Sequence, residues 1–210
     1  MNVLKTTLLL VVIFIVGGCS SQKQTINRYY LIEKPDSISL PISRQSSPLN
    51  GYCEIIPVDV SPAFASREIA NRSNSHEIIY YKKHHWAIGP AKSLSLLLED
   101  YLSQARIFKG VSSRSRITDS EFKLETTVYQ LEVVQENEDL SAHLALEFKL
   151  FSPPNNKLLI SYKADRMQKL QEKDLNLFAE TISKLFYEEL NAFAQTMIDE
   201  LPVKQKSARQ

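Results

Sequence analysis

Between Phe122 and Ala164 apolar side chains recur at every second position, in three runs separated by two turn-forming segments. Successive side chains of an extended strand point to opposite faces, so this alternation makes strands with one buried face. Phe122, Leu124 and Val128 keep one parity, and Leu131 and Val133 continue on the other, which predicts a β-bulge near Tyr129. Gln135 to Asp139 is the first turn. Ala142, Leu144, Leu146, Phe148 and Leu150 then alternate with His143, Glu147 and Lys149, a strand with one wet face. Pro153-Pro154-Asn155-Asn156 is the second turn, and Leu158, Ile160, Tyr162 and Ala164 form the third strand. Such a meander exposes one continuous apolar face, which needs a cover.

Two amphipathic helices supply it. From Asp174 to Leu201 the residues Leu175, Phe178, Ile182, Leu185, Phe186, Phe193 and Met197 recur at helical spacing, with Asp174 as N-cap and Pro202 as the stop. Earlier, Gly89-Pro90 opens a helix whose apolar face is Ala91, Leu94, Leu98, Tyr101, Leu102 and Ala105, with Gly110 as its expected end. Upstream, Tyr29 to Ile32, Tyr52 to Val60 and His76 to Trp86 read as strands, with Pro57 marking an edge or a bulge. Ser61 to Ser75 reads as irregular, and Lys34 to Asn50, with Pro35, Pro41 and Pro48, as loop. The expected fold is therefore α+β: a largely antiparallel sheet with two helices packed on one face, in a single domain spanning 29–201.

The N-terminus carries an address. Lys5 is followed by the apolar run Leu8 to Val16, then Gly17-Gly18 and Cys19. This is the order of a secretory signal. Leu8 to Val16 reaches only about 14 Å as a helix, against the roughly 30 Å of a bilayer core. A cysteine directly after two small residues has the form of a bacterial lipobox, in which its thiol is acylated and the chain is cut before it. Residues 1–18 are then the signal peptide, 19–28 a lipidated tether, and 202–210, with Lys204, Lys206 and Arg209, a disordered basic tail.

Several function classes lose their footing. The chain has 25 Lys and Arg against 24 Asp and Glu, and loss of Lys5 with the leader leaves the two equal. Nucleic-acid binding leans on excess cation, so no nucleic acid is expected. The five glycines are too scattered for a phosphate-cradling loop. His84 and His85 are neighbours on a strand and point apart, and no spacing suits a metal, so neither metal nor other cofactor is expected. The acid pairs Glu99-Asp100, Glu188-Glu189 and Asp199-Glu200 read as solvated helix faces, and no serine sits in a nucleophile elbow. No residue is assigned a catalytic role. Cys53 reads as a small buried hydrophobe, since an acylated Cys19 leaves it without a partner.

Two clusters stand out. Arg106, Lys109, Arg114 and Arg116 gather past the first helix, either as cations favoured at a helix C-terminus or as a docking patch for an acidic partner or lipid headgroups. Tyr80 to Ala87 contains Tyr81, His85 and the lone tryptophan, Trp86, which is either a core anchor or an interface hot spot.

Val58-Asp59-Val60-Ser61-Pro62, Ile69-Ala70-Asn71-Arg72, Tyr80-Tyr81 through His85-Trp86-Ala87 and Pro90, and the Leu-rich helix to Phe108 and Val111 follow one another in a recognisable order. With Tyr29-Tyr30-Leu31 after a lipobox, this order resembles the ABC-type transport auxiliary lipoprotein family, the PqiC-like lipoproteins, over Cys19 to Leu201. His85 stands where that family often has arginine. The resemblance implies a non-enzymatic envelope component partnering the MCE-domain periplasmic protein of an ABC transporter that moves lipids or other apolar molecules. Ser20 after the cysteine implies sorting to the periplasmic face of the outer membrane. An alternative is an envelope assembly or scaffold lipoprotein that binds an outer-membrane protein or peptidoglycan. The partner-binding candidates are Trp86, His85, Tyr81, Arg114 and Arg116, and self-association into a homo-oligomer stays open.

Overall fold

The computed structural model describes residues 26–36, 49–113 and 120–207. Its centre is β7 (Phe122–Glu136), paired along its whole length with β8 (Asp139–Ser152), which pairs in turn with β9 (Lys157–Lys169). Both ladders are antiparallel, as the alternation predicts. The bulge falls where the parity switches: the register shifts between Val128 and Gln130, leaving Tyr129 unpaired. The first turn closes with Asn137 at φ 53°, and the second is a short 3-10 turn, Pro153–Asn155, closed by Asn156 at φ 50°. Asparagine tolerates this left-handed conformation better than most residues.

The other edge of β7 is shared by three short parallel strands. β2 (Leu49–Ile55) pairs at Phe122 to Leu124, β3 (Asp59–Val60) at Thr127 and Val128, and β4 (Glu68–Asn74) at Val133 and Val134. β6 (Phe108–Ser112) extends the sheet beyond β2. At the other end β5 (Glu77–Trp86) pairs antiparallel with β4, and β1 (Arg28–Tyr30) pairs parallel with β5. The sheet is thus mixed: its long ladders are antiparallel and its short ones parallel.

Helix α1 (Pro90–Ala105) and helix α2 (Leu175–Ser207) pack together on one face. Tyr101 meets Tyr187 edge-on at 5.9 Å, and its hydroxyl donates to Asn191 Oδ1 at 2.6 Å. Phe193 stacks on Phe148 of β8 at 4.8 Å. Asp174 caps α2 as expected, its Oδ1 accepting the N–H of Asn176 at 2.8 Å. Cys53 is buried in β2, and burial pushes its thiol far above the usual range. Among the described residues, no helix is long and apolar enough to cross a membrane.

Five expectations need correction. The strand expected over Tyr52 to Val60 is two, interrupted at Ile56 to Val58 around Pro57, whose ring removes a ladder donor. The stretch expected to be irregular contains β4, whose polar residues hid it because it is buried by pairing more than by alternation. Helix α1 ends at Arg106, at φ 50°, and not at Gly110, which lies inside β6. Glycine is needed there because a Cβ on Gly110 would come within 2.9 Å of the Tyr52 ring. Helix α2 continues through Pro202 to Ser207; proline forfeits the single bond its nitrogen would donate, and the backbone stays helical beyond it. Finally, Glu189 is not solvated: its carboxylate is buried, accepting from the Tyr162 hydroxyl at 2.6 Å and from Arg166.

Gly51 is tighter than Gly110. Its Cβ would lie 2.8 Å from Phe122 Cε2, a buried ring, and 2.9 Å from Glu121 Cβ. Gly51→Ala is expected to cost about 1–3 kcal/mol in urea unfolding. Gly110→Ala, which meets the half-exposed Tyr52 ring, is expected to cost less.

Candidate interaction surface at the β1–β5 edge

The face of the sheet away from the helices is crossed by a charged row. Arg72, Glu132, His143 and Asp165 come from β4, β7, β8 and β9 in turn. Arg72 Nε donates to Glu132 Oε1 at 2.9 Å, and the His143 imidazolium reaches Glu132 Oε1 at 3.3 Å and Asp165 Oδ1 at 2.9 Å. The Glu132 side chain is 0% exposed. Burial would push its carboxyl up, but hydrogen bonds from His143 and Arg72 outweigh that and hold it below its ordinary value. The hydrogen bond with Glu132 raises His143 against burial, and Asp165 adds to it. Glu147, also buried, is held down to about 2: hydrogen bonds from Tyr129, Lys149 and Ser161 overcome its desolvation. The face expected to be wet therefore carries ion pairs around two buried carboxylates, Glu132 and Glu147.

This row sets a pH dependence. Glu132 contributes stability above its ordinary value of 4.5 and loses it as pH falls through the depressed folded value. His143 contributes fully below 6.5 and loses it as pH rises through its raised folded value. His143→Gln is thus expected to cost about 1 kcal/mol between these limits and less at higher pH. Urea midpoints of the two proteins across pH 5 to 9 check this; a constant gap would be the contrary result.

The sequence-derived candidates converge elsewhere, at the edge formed by β1 and β5. Tyr29 lies opposite His85, and Tyr30 opposite Trp86. Of the two readings of Trp86, the structure shows the core anchor. Its side chain is 1% exposed and its ring packs 5.7 Å from that of Phe178 on α2. Only its backbone reaches outward: its N–H donates to the Arg67 carbonyl at 2.7 Å, and its carbonyl accepts from Arg67 Nε at 2.9 Å. His85 is half-buried, its ring 5.8 Å from that of Tyr29. The Arg67 guanidinium lies over the Tyr29 ring at 5.7 Å, a cation–π contact that the sequence did not reveal. Tyr81 is half-buried and meets His84 edge-on at 5.8 Å, and burial raises its hydroxyl. His84 stacks on Tyr30 and accepts a hydrogen bond from its hydroxyl at 2.8 Å. Burial, and then the neighbouring Arg28, His85 and Lys83, lower His84, which favours the neutral ring that can accept this bond. Arg114, Arg116 and Cys19 lie outside the described residues.

β1 ends the sheet on this side. Between it and the N-terminal half of α2 runs a groove of about 770 Å³, lined among others by Tyr29, Leu31, Glu33, Lys34, Asn176 and Glu180. The Glu33 N–H donates to Ser183 Oγ at 3.1 Å, fixing the chain to α2 just after β1. The described residues contain no group of three His, Cys, Asp or Glu side chains able to hold a metal. The edge presents aromatic, cationic and backbone groups, the chemistry of recognition.

The fold is similar to that of a DUF330 protein. Protein XCC0632 from Xanthomonas campestris, of family DUF330, superposes with a TM-score of 0.65 at 14% identity, over 87% of this chain and 98% of that one. An uncharacterised protein superposes at 0.62 with 15% identity, over 81% and 99%. Lipoprotein GNA1162 from Neisseria meningitidis reaches 0.37 at 13% identity, over 67% and 98%. No family model and no curated protein matches the sequence. The likeness to the first two establishes a shared α+β architecture.

Proposed function

We propose that this protein is an envelope lipoprotein, held by acylated Cys19 at the periplasmic face of the outer membrane. It serves as a non-enzymatic auxiliary and docking subunit of an MCE-type ABC transport system that moves lipids or other apolar molecules. One observation carries the reading: nearly the whole body adopts the architecture of the DUF330 protein, in a chain whose motifs stand in the order of the PqiC-like lipoproteins. The Tyr80-to-Pro90 motif spans β5 and the start of α1. That motif makes structure and surface together. Trp86 ties β5 to α2, while Tyr81 and His85 stay at the edge.

The test is capture of the native lipidated protein from detergent-solubilised envelopes. Co-elution of an MCE protein with its permease and ATPase is the expected result. Repeated capture without them, from a locus lacking genes for those three components, would favour the scaffold reading, in which the same body binds an outer-membrane protein or peptidoglycan.

A further inference from the structure

We propose that the β1–β5 edge is the membrane-facing side of the body and binds the anionic headgroups of the bilayer that holds the anchor. This deepens the lipoprotein reading and rests on it. Three observations carry it.

The first is charge. Arg28, Arg67, Lys82 and Lys83 are all exposed at this edge, and among the described residues none has an ion-pair partner. Elsewhere on the sheet most cations are matched: Arg72 with Glu132, Lys149 and Lys163 with Glu147, Arg166 with Glu188 and Glu189, and Lys169 with Asp139, whereas Lys109 and Lys157 stand singly on β6 and β9. Glu68 stands in register opposite His85, and Glu33, Asp36 and Glu180 lie on the other side of β1, along the groove with α2. An excess of unmatched cations is the complement of an anionic surface.

The second is apolar exposure in the same place. Tyr29 is 57% exposed and Ile26 72%, and Leu31 and Ile88 are also exposed. Aromatic and aliphatic groups beside cations suit the headgroup boundary, where rings and alkyl stems enter while charges stay hydrated. The third is reach. Ile26 follows Cys19 by seven residues, at most about 25 Å of fully extended chain. The tether enters the body at this edge, so it is delivered to the surface before the opposite end, the β8–β9 turn at Asn155.

The test uses the full lipidated chain in vesicles. Acylated Cys19 and buried Cys53 leave an introduced cysteine as the reactive thiol. A fluorophore is placed at Ile88→Cys or, as the distant control, at Asn155→Cys, and quenching by headgroup spin-labelled lipid is read. In vesicles of about three parts phosphatidylethanolamine to one part phosphatidylglycerol, the Ile88 label is expected to be quenched and the Asn155 label spared. With about fivefold in surface affinity per cation, Arg28→Glu with Lys83→Glu is expected to lower surface affinity more than tenfold and bring the Ile88 signal to the control level. High salt or phosphatidylcholine vesicles should do the same without substitution. Equal quenching at both sites, or quenching at Ile88 indifferent to charge, salt and lipid, overturns the proposal. Flotation separates the two readings: a protein that fails to float with the vesicles removes the anchor and this proposal together, whereas one that floats without the Ile88 signal removes this proposal alone.

Discussion

Trp86→Ala is expected to destabilise the fold by about 3–5 kcal/mol, a large share of the roughly 5–15 kcal/mol that holds a domain of this kind together. The side chain is 1% exposed, at the C-terminal end of β5, where the chain turns toward α1. Its ring packs on Phe178 of α2. Truncation removes a large apolar group and leaves a cavity that a sheet edge, a helix start and a helix flank must all close. The urea midpoint is expected to fall by about 2 M, followed by circular dichroism because the variant has no tryptophan left to report. A surface anchor for a partner would behave otherwise, losing affinity at an unchanged midpoint. Loss of stability in the variant would also pull β5 away from β1, so binding measured on it reports folding first.

Cys19→Ser is expected to have the largest effect on location. Each buried methylene contributes about 0.8 kcal/mol, so an acyl chain of typical length contributes on the order of 10 kcal/mol in gross terms, and two or more chains hold a protein stably. Among the described residues no helix is long and apolar enough to cross a bilayer. The variant is expected to leave the membrane fraction and to keep the mass of an unmodified, uncleaved chain. Wild-type protein should lack residues 1–18 and carry added acyl mass. An unmodified Cys19 in native protein would remove the anchor, the transport reading and the membrane-facing edge at once.

The parts of the fold legible in the sequence share one property: their side-chain pattern reports their own burial. β7, β8 and β9 alternate because each has one covered face, and the bulge at Tyr129 shows as a change of parity. Helices α1 and α2 show their stripes for the same reason. β4 and β6 were not legible. Both are short; β4 is held by pairing on both sides and β6 ends the sheet, and backbone pairing places residues as polar as Asn71 and Lys109 there. Gly110 was misread as a helix stop because glycine serves both turns and close approaches, and only Tyr52, far away in sequence, shows which need applies.

The site divides in the same way. Tyr81, His85 and Trp86 could be singled out as a cluster of aromatic and basic residues, but not sorted. Burial of Trp86 depends on Phe178, ninety-two positions further along the chain. The partners of the edge, Arg67 over Tyr29 and Arg28 beside His84, were invisible because no local spacing links them. The charged row of His143, Glu147 and Lys149 was read as a wet face, since a carboxylate in an alternating strand looks solvated until its partners are known.

By itself the sequence determined the α+β class, the meander and its helical cover. These follow from local order and from the periods of strand and helix, which need no distant neighbour. The tertiary structure decided which cations are paired, which aromatics are buried and which edge stays open. Those properties belong to pairs of residues that the chain brings together only on folding, as when β1 closes on β5 and sets Tyr29 against His85 and Tyr30 against Trp86.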